Sequence, residues 1–154
     1  MNIRLATLDD LQAISNLLTE FFAYNAGQQP ANYVSVTENG EYPCAIISSN
    51  TGDFIVAEID NEIVGLVHVE EDATPPYPSV KSHKYACIID FFVKEEYRRK
   101  KIGHLLLEKA KSWAQSRNLE YIELMVLEKN QIGQNFYERE QFTTISRTMR
   151  LSIS

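Results

Sequence analysis

The chain has 154 residues, 44% of them hydrophobic and 23% charged, a balance that fits one globular domain over 1–154 and excludes a disordered tail or a two-domain enzyme. With 15 Lys and Arg against 21 Asp and Glu the formal net charge is -6, which disfavours broad nucleic-acid binding. No apolar run approaches the roughly 20 residues that span a bilayer, and Cys44 and Cys87 lack metal-ligand spacing, so an intracellular, cytoplasmic protein with reduced thiols and no membrane partner is expected.

Asn2 to Ala6 alternates like a short strand, and Thr7 with Asp10 forms a cap for a first helix. Leu11, Ile14, Leu17, Leu18, Phe21 and Phe22 recur at three- and four-residue steps and define its buried face, while Tyr24 and Asn25 near its end are placed to edge a pocket. Gly27, Pro30, Gly40 and Pro43 interrupt the next stretch around a short helix at Cys44 to Ser48. Phe54 to Ile59 and Ile63 to Val69 read as a hairpin. Glu70 to Lys84 opens with Glu70, Glu71 and Asp72, continues through Pro75, Pro76 and Pro78, and reads as a long loop.

Tyr85 to Val93 is almost continuously apolar and predicts a central strand buried on both faces, interrupted by Asp90. Ile102, Leu105, Leu106, Ala110 and Trp113 then mark one face of a helix that ends near Asn118, and Tyr121 to Val126 reads as another strand. Strand, helix and strand at this length form a βαβ unit with parallel strands. Asn130 caps a last helix reaching about Glu140, and Phe142 to Ile153 reads as closing β structure whose edge is open to a second subunit, leaving a homodimer in view. The expected fold is α/β, a mixed central β-sheet flanked by helices.

The chemistry concentrates at Arg98, Arg99, Lys100, Lys101, Ile102, Gly103 and His104, where the central strand turns into a helix. Free N–H groups and the positive end of a helix dipole converge there beside four cations, which makes a phosphate-binding device. Neither GxxxxGK[ST] nor GxGxxG is present, so a gripped nucleotide triphosphate or dinucleotide is not the expected ligand.

Here the sequence resembles the GNAT superfamily of N-acetyltransferases. Its pattern [QR]-x-x-G-x-[GA] after a strand ending in Val is met by Val93, Arg98 and Gly103, with Lys101 where the first glycine falls; a positive φ there costs Lys101 on the order of 1 kcal/mol. The run Asn130 to Phe142 resembles N-x-x-A-x-x-F-Y-x-x-x-G-F, with Gly133 and Gln141 replacing Ala and Gly. The resemblance implies a GNAT-like fold that takes acetyl-coenzyme A, the amides of Arg99 to His104 cradling its pyrophosphate and the backbone of Phe91 and Val93 pairing with its pantetheine arm. It further implies Asn130 as a cofactor contact and Tyr137 as both a cofactor neighbour and the acid for the departing thiolate, in direct transfer to a primary amine without a metal. Asp90 is the first candidate base and Glu123 the second, against the bland alternative of a buried, structurally bonded Asp. The -6 charge and the Glu70, Glu71 and Asp72 rim favour a cationic small-molecule acceptor. A non-catalytic acyl-coenzyme A-binding regulatory protein stays open as the alternative.

Overall fold

Four strands in succession lie beside their sequence neighbours, and one helical crossover adds the last. In the computed structural model, which describes residues 1–154, β1 (Asn2–Leu5), β2 (Gly52–Ile59), β3 (Glu62–Ala73), β4 (Lys84–Val93) and β5 (Ile122–Leu124) form one sheet in that spatial order. All neighbours are antiparallel except β4 and β5, which the crossover makes parallel. The helices are α1 (Leu11–Gln28), α2 (Tyr42–Ile47), α3 (Ile102–Ser116) and α4 (Gln131–Arg139). None of them is long and apolar enough to cross a membrane.

The sheet divides the core into two layers. On one face Ile55, Val67, Val69, Ala86 and Ile88 pack against Ile102, Leu106, Leu107, Ala110 and Trp113 of α3. On the other, Phe54, Val56, Leu66 and Phe92 pack against Ile14, Leu17 and Leu18 of α1. The three- and four-residue spacing of the α1 and α3 apolar positions puts each set on the face that meets the sheet.

Several expected boundaries move. Glu70, Glu71 and Asp72 belong to β3 rather than to the loop, because their backbones pair with Cys87, Ala86 and Tyr85 of β4. The proline-rich loop is therefore shorter, and Thr74 N–H donates to the His83 carbonyl at its base, 3.0 Å away. β5 keeps only the middle of the stretch Tyr121 to Val126. The central strand is not covered throughout: Val69 pairs with Ile88 and His68 with Asp90, so Ile89 is an extra residue in β4, a bulge, and it is exposed. Phe142 to Ile153 forms no strand. Asn118 takes the left-handed conformation expected of it after α3, with φ 58°.

The entry into α1 depends on charge. A 3-10 turn at Leu8–Asp10 precedes the helix, with Thr7 and Asp10 reciprocally bonded as expected. The Arg4 guanidinium donates to both Asp10 oxygens at 2.7 and 2.9 Å and also to Glu58, tying β1, β2 and the helix start together. Its hydrogen bonds, reinforced by the Thr7 backbone N–H, lower the Asp10 carboxyl from 3.8 to about 2, against the opposing effect of burial. A carboxylate depressed in the fold stabilises it above its unfolded pKa and loses that contribution as the pH falls through the folded value. Asp10→Asn should therefore cost on the order of 1–2 kcal/mol at neutral pH, after allowance for screening around Arg4, and the difference from wild type should vanish between pH 4 and pH 2. Urea denaturation across that window checks it.

Candidate active site

The bulge at Ile89 controls the site. β4 and β5 pair only from Ala86 to Ile88, and beyond that point β5 ends at Leu124. Lys94 N–H donates to Val64 of β3, and the alternation of a strand then turns the N–H groups of Phe91 and Val93 away from β3, toward the edge that β5 has left. The floor of this cleft is aromatic. The Phe91 ring lies 5.5 Å from that of Phe136 and 6.1 Å from that of Tyr137.

At the end of the cleft the chain enters α3. Lys101 is its N-cap with φ 63°, left-handed as its place in the loop requires, and Arg99 has φ 63° as well. From Arg99 to His104 no backbone N–H has an acceptor in the fold; pairing resumes with Leu105, which donates to the Lys101 carbonyl. A row of free amides at a helix start, with exposed Arg99, Lys100 and Lys101 around it, is a site for a phosphate-bearing ligand. Ile102 anchors the row, its side chain 1% exposed in the α3 layer. Arg98 plays a different part: its Nε donates to the Val93 carbonyl at 3.0 Å, and its guanidinium lies over the rings of Tyr24 and Phe92. Tyr24 thus edges a pocket, shared with Gln28, Glu95 and Ile132.

Tyr137 sits on α4 with a hydroxyl that makes no hydrogen bond in the fold, yet the one buried, unpartnered side-chain oxygen is Asn39 Oδ1. The Tyr137 hydroxyl is therefore not fully sealed from solvent. Burial pushes its pKa above the ordinary tyrosine value, so it holds its proton at neutral pH.

Asp90 lies on the α1 and α2 side of the sheet and is not alone. Tyr42 of α2 donates to Asp90 Oδ2 at 2.6 Å, its hydroxyl also touches His68 Nδ1, and His68 Nε2 meets Glu70 Oε1 at 3.0 Å. His68 is 2% exposed. Burial, then the Asp90 charge, raises the Tyr42 pKa and keeps that phenol neutral. Asp90 Oδ1 takes no hydrogen bond and is not sealed in, so one oxygen is bound and the other is free. Glu123 pairs with Cys87 across β4 and β5 and so shares this face with Glu70, which also pairs with Cys87. Burial, then Asp72 and Glu123, raises the Cys87 thiol.

Two glycines sit where a side chain would crowd a neighbour. A Cβ on Gly103 would stand 3.2 Å from the Phe136 ring, so the residue serves close contact between α3 and α4. A Cβ on Gly133 would strike the Asn130 side chain at 2.5 Å, and Asn130 Oδ1 accepts from Gly133 N–H as the cap of α4. His104 Nδ1 meets the Glu140 carboxylate at 3.0 Å. Tyr42 and His68 are the residues that sequence reasoning passed over. The lone histidine inside the apolar run Ile63 to Val69 was the available signal.

A parallel strand pair parted by a bulge, leading to free amides at a helix start, defines an acyl-coenzyme A transferase fold. The chain belongs to the acetyltransferase (GNAT) family, whose family model matches residues 11–142, and it is an acyltransferase of the N-acetyltransferase class. It is 31% identical to an uncharacterized N-acetyltransferase of Archaeoglobus fulgidus over 137 residues, 89% of each chain. It superposes on a mutant of the BH1408 protein from Bacillus halodurans at TM-score 0.94, with 24% identity and 100% of both chains covered. The fold is shared too, at TM-score 0.76 and 14% identity over 99% and 97% of the two chains, with AAC(6')-Iy in complex with the bisubstrate analogue CoA-S-monomethyl-acetylneamine. The GNAT fold uses acetyl-coenzyme A, and the free amides of Arg99 to His104 with the bare edge of β4 fit its pyrophosphate and its amide-bearing arm.

Gly103→Ala places a methyl group against Phe136 and should destabilise the protein by about 1 kcal/mol. Serine at this position should behave similarly. Chemical denaturation checks this, and an unchanged midpoint would show that α4 yields without cost.

Proposed function

We propose that the protein transfers the acetyl group of acetyl-coenzyme A to a cationic primary amine, by direct attack within a ternary complex. The row of unpartnered amides from Arg99 to His104, ending a cleft that holds Tyr137 and borders Asp90, carries this reading. When bound, acetyl-coenzyme A supplies the activated acyl group; the chain's residues supply position, charge and proton transfer. The Val93 N–H, turned to the bare edge of β4, is a preorganised donor to the carbonyl oxygen on which charge develops. The Tyr137 hydroxyl, neutral and without a partner, donates to the departing thiolate.

An ordinary alkylamine has a pKa of about 10.4 and must lose a proton before it attacks. Asp90 Oδ1 is the acceptor for that proton. The contacts behind it hold the carboxylate in place: Tyr42 donates to Asp90 Oδ2 and its hydroxyl also meets His68 Nδ1, which leaves Oδ1 for the incoming proton. Tyr42 and His68 act through Asp90 and are positioning residues.

Glu70, Asp72 and Glu123 share the sheet face that carries Asp90, whereas Glu71 lies on the other face in an ion pair with Arg117. The acidic rim expected from Glu70, Glu71 and Asp72 is therefore replaced by Glu70, Asp72 and Glu123, an acidic surface that favours an ammonium-bearing acceptor. Reduced Cys44 and Cys87 accord with a cytoplasmic location.

The test is release of free thiol from acetyl-coenzyme A in the presence of an amine panel. Polyamines and aminoglycosides should react and acidic amines should not; no release with any amine would leave a binding protein. Tyr137→Phe should lower kcat by roughly 10²–10⁴-fold with little change in the affinity for coenzyme A, measured by calorimetry. Neutralising Glu70, Asp72 and Glu123 together should raise the acceptor KM at low salt and leave that of acetyl-coenzyme A nearly unchanged, an effect that added salt should shrink.

A further inference from the structure

The 3 histidines of the chain meet carboxylates in different ways. His68 is sealed between Asp90 and Glu70, and the exposed His83 meets the single carboxylate of Glu120. At His104 the ring Nδ1, a Glu108 oxygen and a Glu140 oxygen all lie within 4.8 Å of one another, and no other trio of histidine, cysteine and acidic side chains brings one donor atom each so close. The helices produce this convergence. His104 and Glu108 are four residues apart on α3 and so stand one above the other on one face. Glu140, the residue that closes α4, reaches them from the neighbouring helix, which the bare Gly103 lets approach through Phe136.

The cluster differs from an ordinary surface ion pair. The Glu140 side chain is 15% exposed, and its one ionic partner is His104, which is charged only when protonated. A shielded carboxylate without a permanent counter-charge is costly. His104 Nδ1 also stands 3.0 Å from each of the two Glu140 oxygens. One N–H serves one lone pair well, whereas a cation in front of a carboxylate engages both oxygens. Glu108 is already oriented: Lys111 donates to its Oε1 at 2.7 Å, and its Oε2 takes no hydrogen bond.

These donors match a first-row divalent ion. Nitrogen and oxygen ligands on one tetrahedral zinc, at bond lengths of about 2.0–2.2 Å, stand about 3.4 Å from one another. That spacing falls between the 3.0 Å of the His104 and Glu140 pair and the 4.8 Å that bounds the whole trio. One neutral imidazole with two carboxylates balances a charge of 2+, and imidazole among the ligands suits zinc and its neighbours rather than calcium or magnesium.

We propose that His104, Glu108 and Glu140 bind one divalent transition-metal ion between α3 and α4, with water in the fourth position. The ion takes the place of the proton at His104 Nδ1, which goes to solvent. It staples the end of the helix that carries Tyr137 to the start of the helix that carries the unpartnered amides. The site stands on side-chain geometry alone, independently of the acetyl-transfer chemistry.

Zinc titrated into the untagged full chain, with Cys44→Ser to remove the exposed thiol, should bind at one ion per chain by calorimetry and raise the thermal denaturation midpoint with increasing zinc. His104→Gln and Glu140→Gln should each weaken binding by more than about tenfold. Glu108→Gln, at an exposed position, should do the same and keeps the comparison open if either of the others does not fold. His83→Gln removes the other exposed histidine and should leave binding unchanged. In 15N-labelled protein the ring nitrogens of His104, and not those of His68 or His83, should shift when zinc is added. Absence of saturable binding overturns the proposal and leaves an ion pair between two helices. Binding that follows His83, or that survives the loss of His104 and of Glu108, overturns it equally.

Discussion

The site exists because β4 and β5 stop pairing. A parallel strand beside β4 along its whole length would take up the N–H groups of Phe91 and Val93, and no edge would be left for a ligand to pair with. The extra residue at Ile89 separates the paired half of β4, Ala86 to Ile88, from the unpaired half that ends at Val93. A bulge bends and twists a strand without ending its other ladder, and β4 does stay in register with β3 from Asp90 to Val93. The antiparallel side thus holds β4 rigid while the parallel side opens. The same divergence brings the aromatic face of α4 under Phe91, which is how Tyr137, 46 positions later in the chain, reaches the cleft.

Charge is distributed along β4 in a way that a chain of net charge -6 permits only by separation. The cations Arg99, Lys100 and Lys101 follow its C-terminal end, whereas Glu70, Asp72 and Glu123 gather by pairing around its start, near Tyr85 and Cys87. At about 3.3 Å per residue the two groups are more than a Debye length apart at physiological ionic strength, so each keeps its own field. Asp90 lies between them, one carboxylate oxygen held by Tyr42 and the other without a bond. The proposed function would thus draw its phosphate-bearing and ammonium-bearing ligands to opposite ends of the same strand.

What could be read from the sequence follows from how local its cause is. The turn from β4 into α3 was legible because a strand ending at Val93, cations and a helix start are all written within about a dozen residues, and so was the Asn130 cap. The positive φ of Lys101 was legible because the loop pattern demands it whatever side chain stands there. At Gly103 and Gly133 a missing Cβ signals close approach, and only the packing shows that Phe136 and Asn130 are the side chains nearby. The Tyr42 and His68 pair joins residues 26 apart on a short helix and a strand, and no periodicity announces such a contact. Phe142 to Ile153 reads as a strand because alternation is local, but a strand needs a partner, and pairing is not encoded in the segment itself.

Lys101 shows what the family's usual loop glycine provides and what replaces it. A left-handed, non-glycine residue costs roughly 1–2 kcal/mol, and Arg99 carries the same cost. Neither strain is relieved locally, so the surroundings must hold it. Ile102, sealed in the α3 layer immediately after Lys101, fixes the start of the helix; Arg98, bonded from its N–H to Glu95 and from its Nε to Val93, fixes the other end of the turn; Lys100 lies over the Tyr97 ring between them. Left-handed Lys101 followed by helical Ile102 folds successive N–H groups toward one concavity, the geometry a glycine would give at lower strain. In exchange the loop gains two cations whose backbone N–H groups have no acceptor in the fold. Strain in the backbone and charge on the side chains are thus two consequences of the same substitution, and the anchoring by Ile102 and Arg98 is what lets the loop keep both.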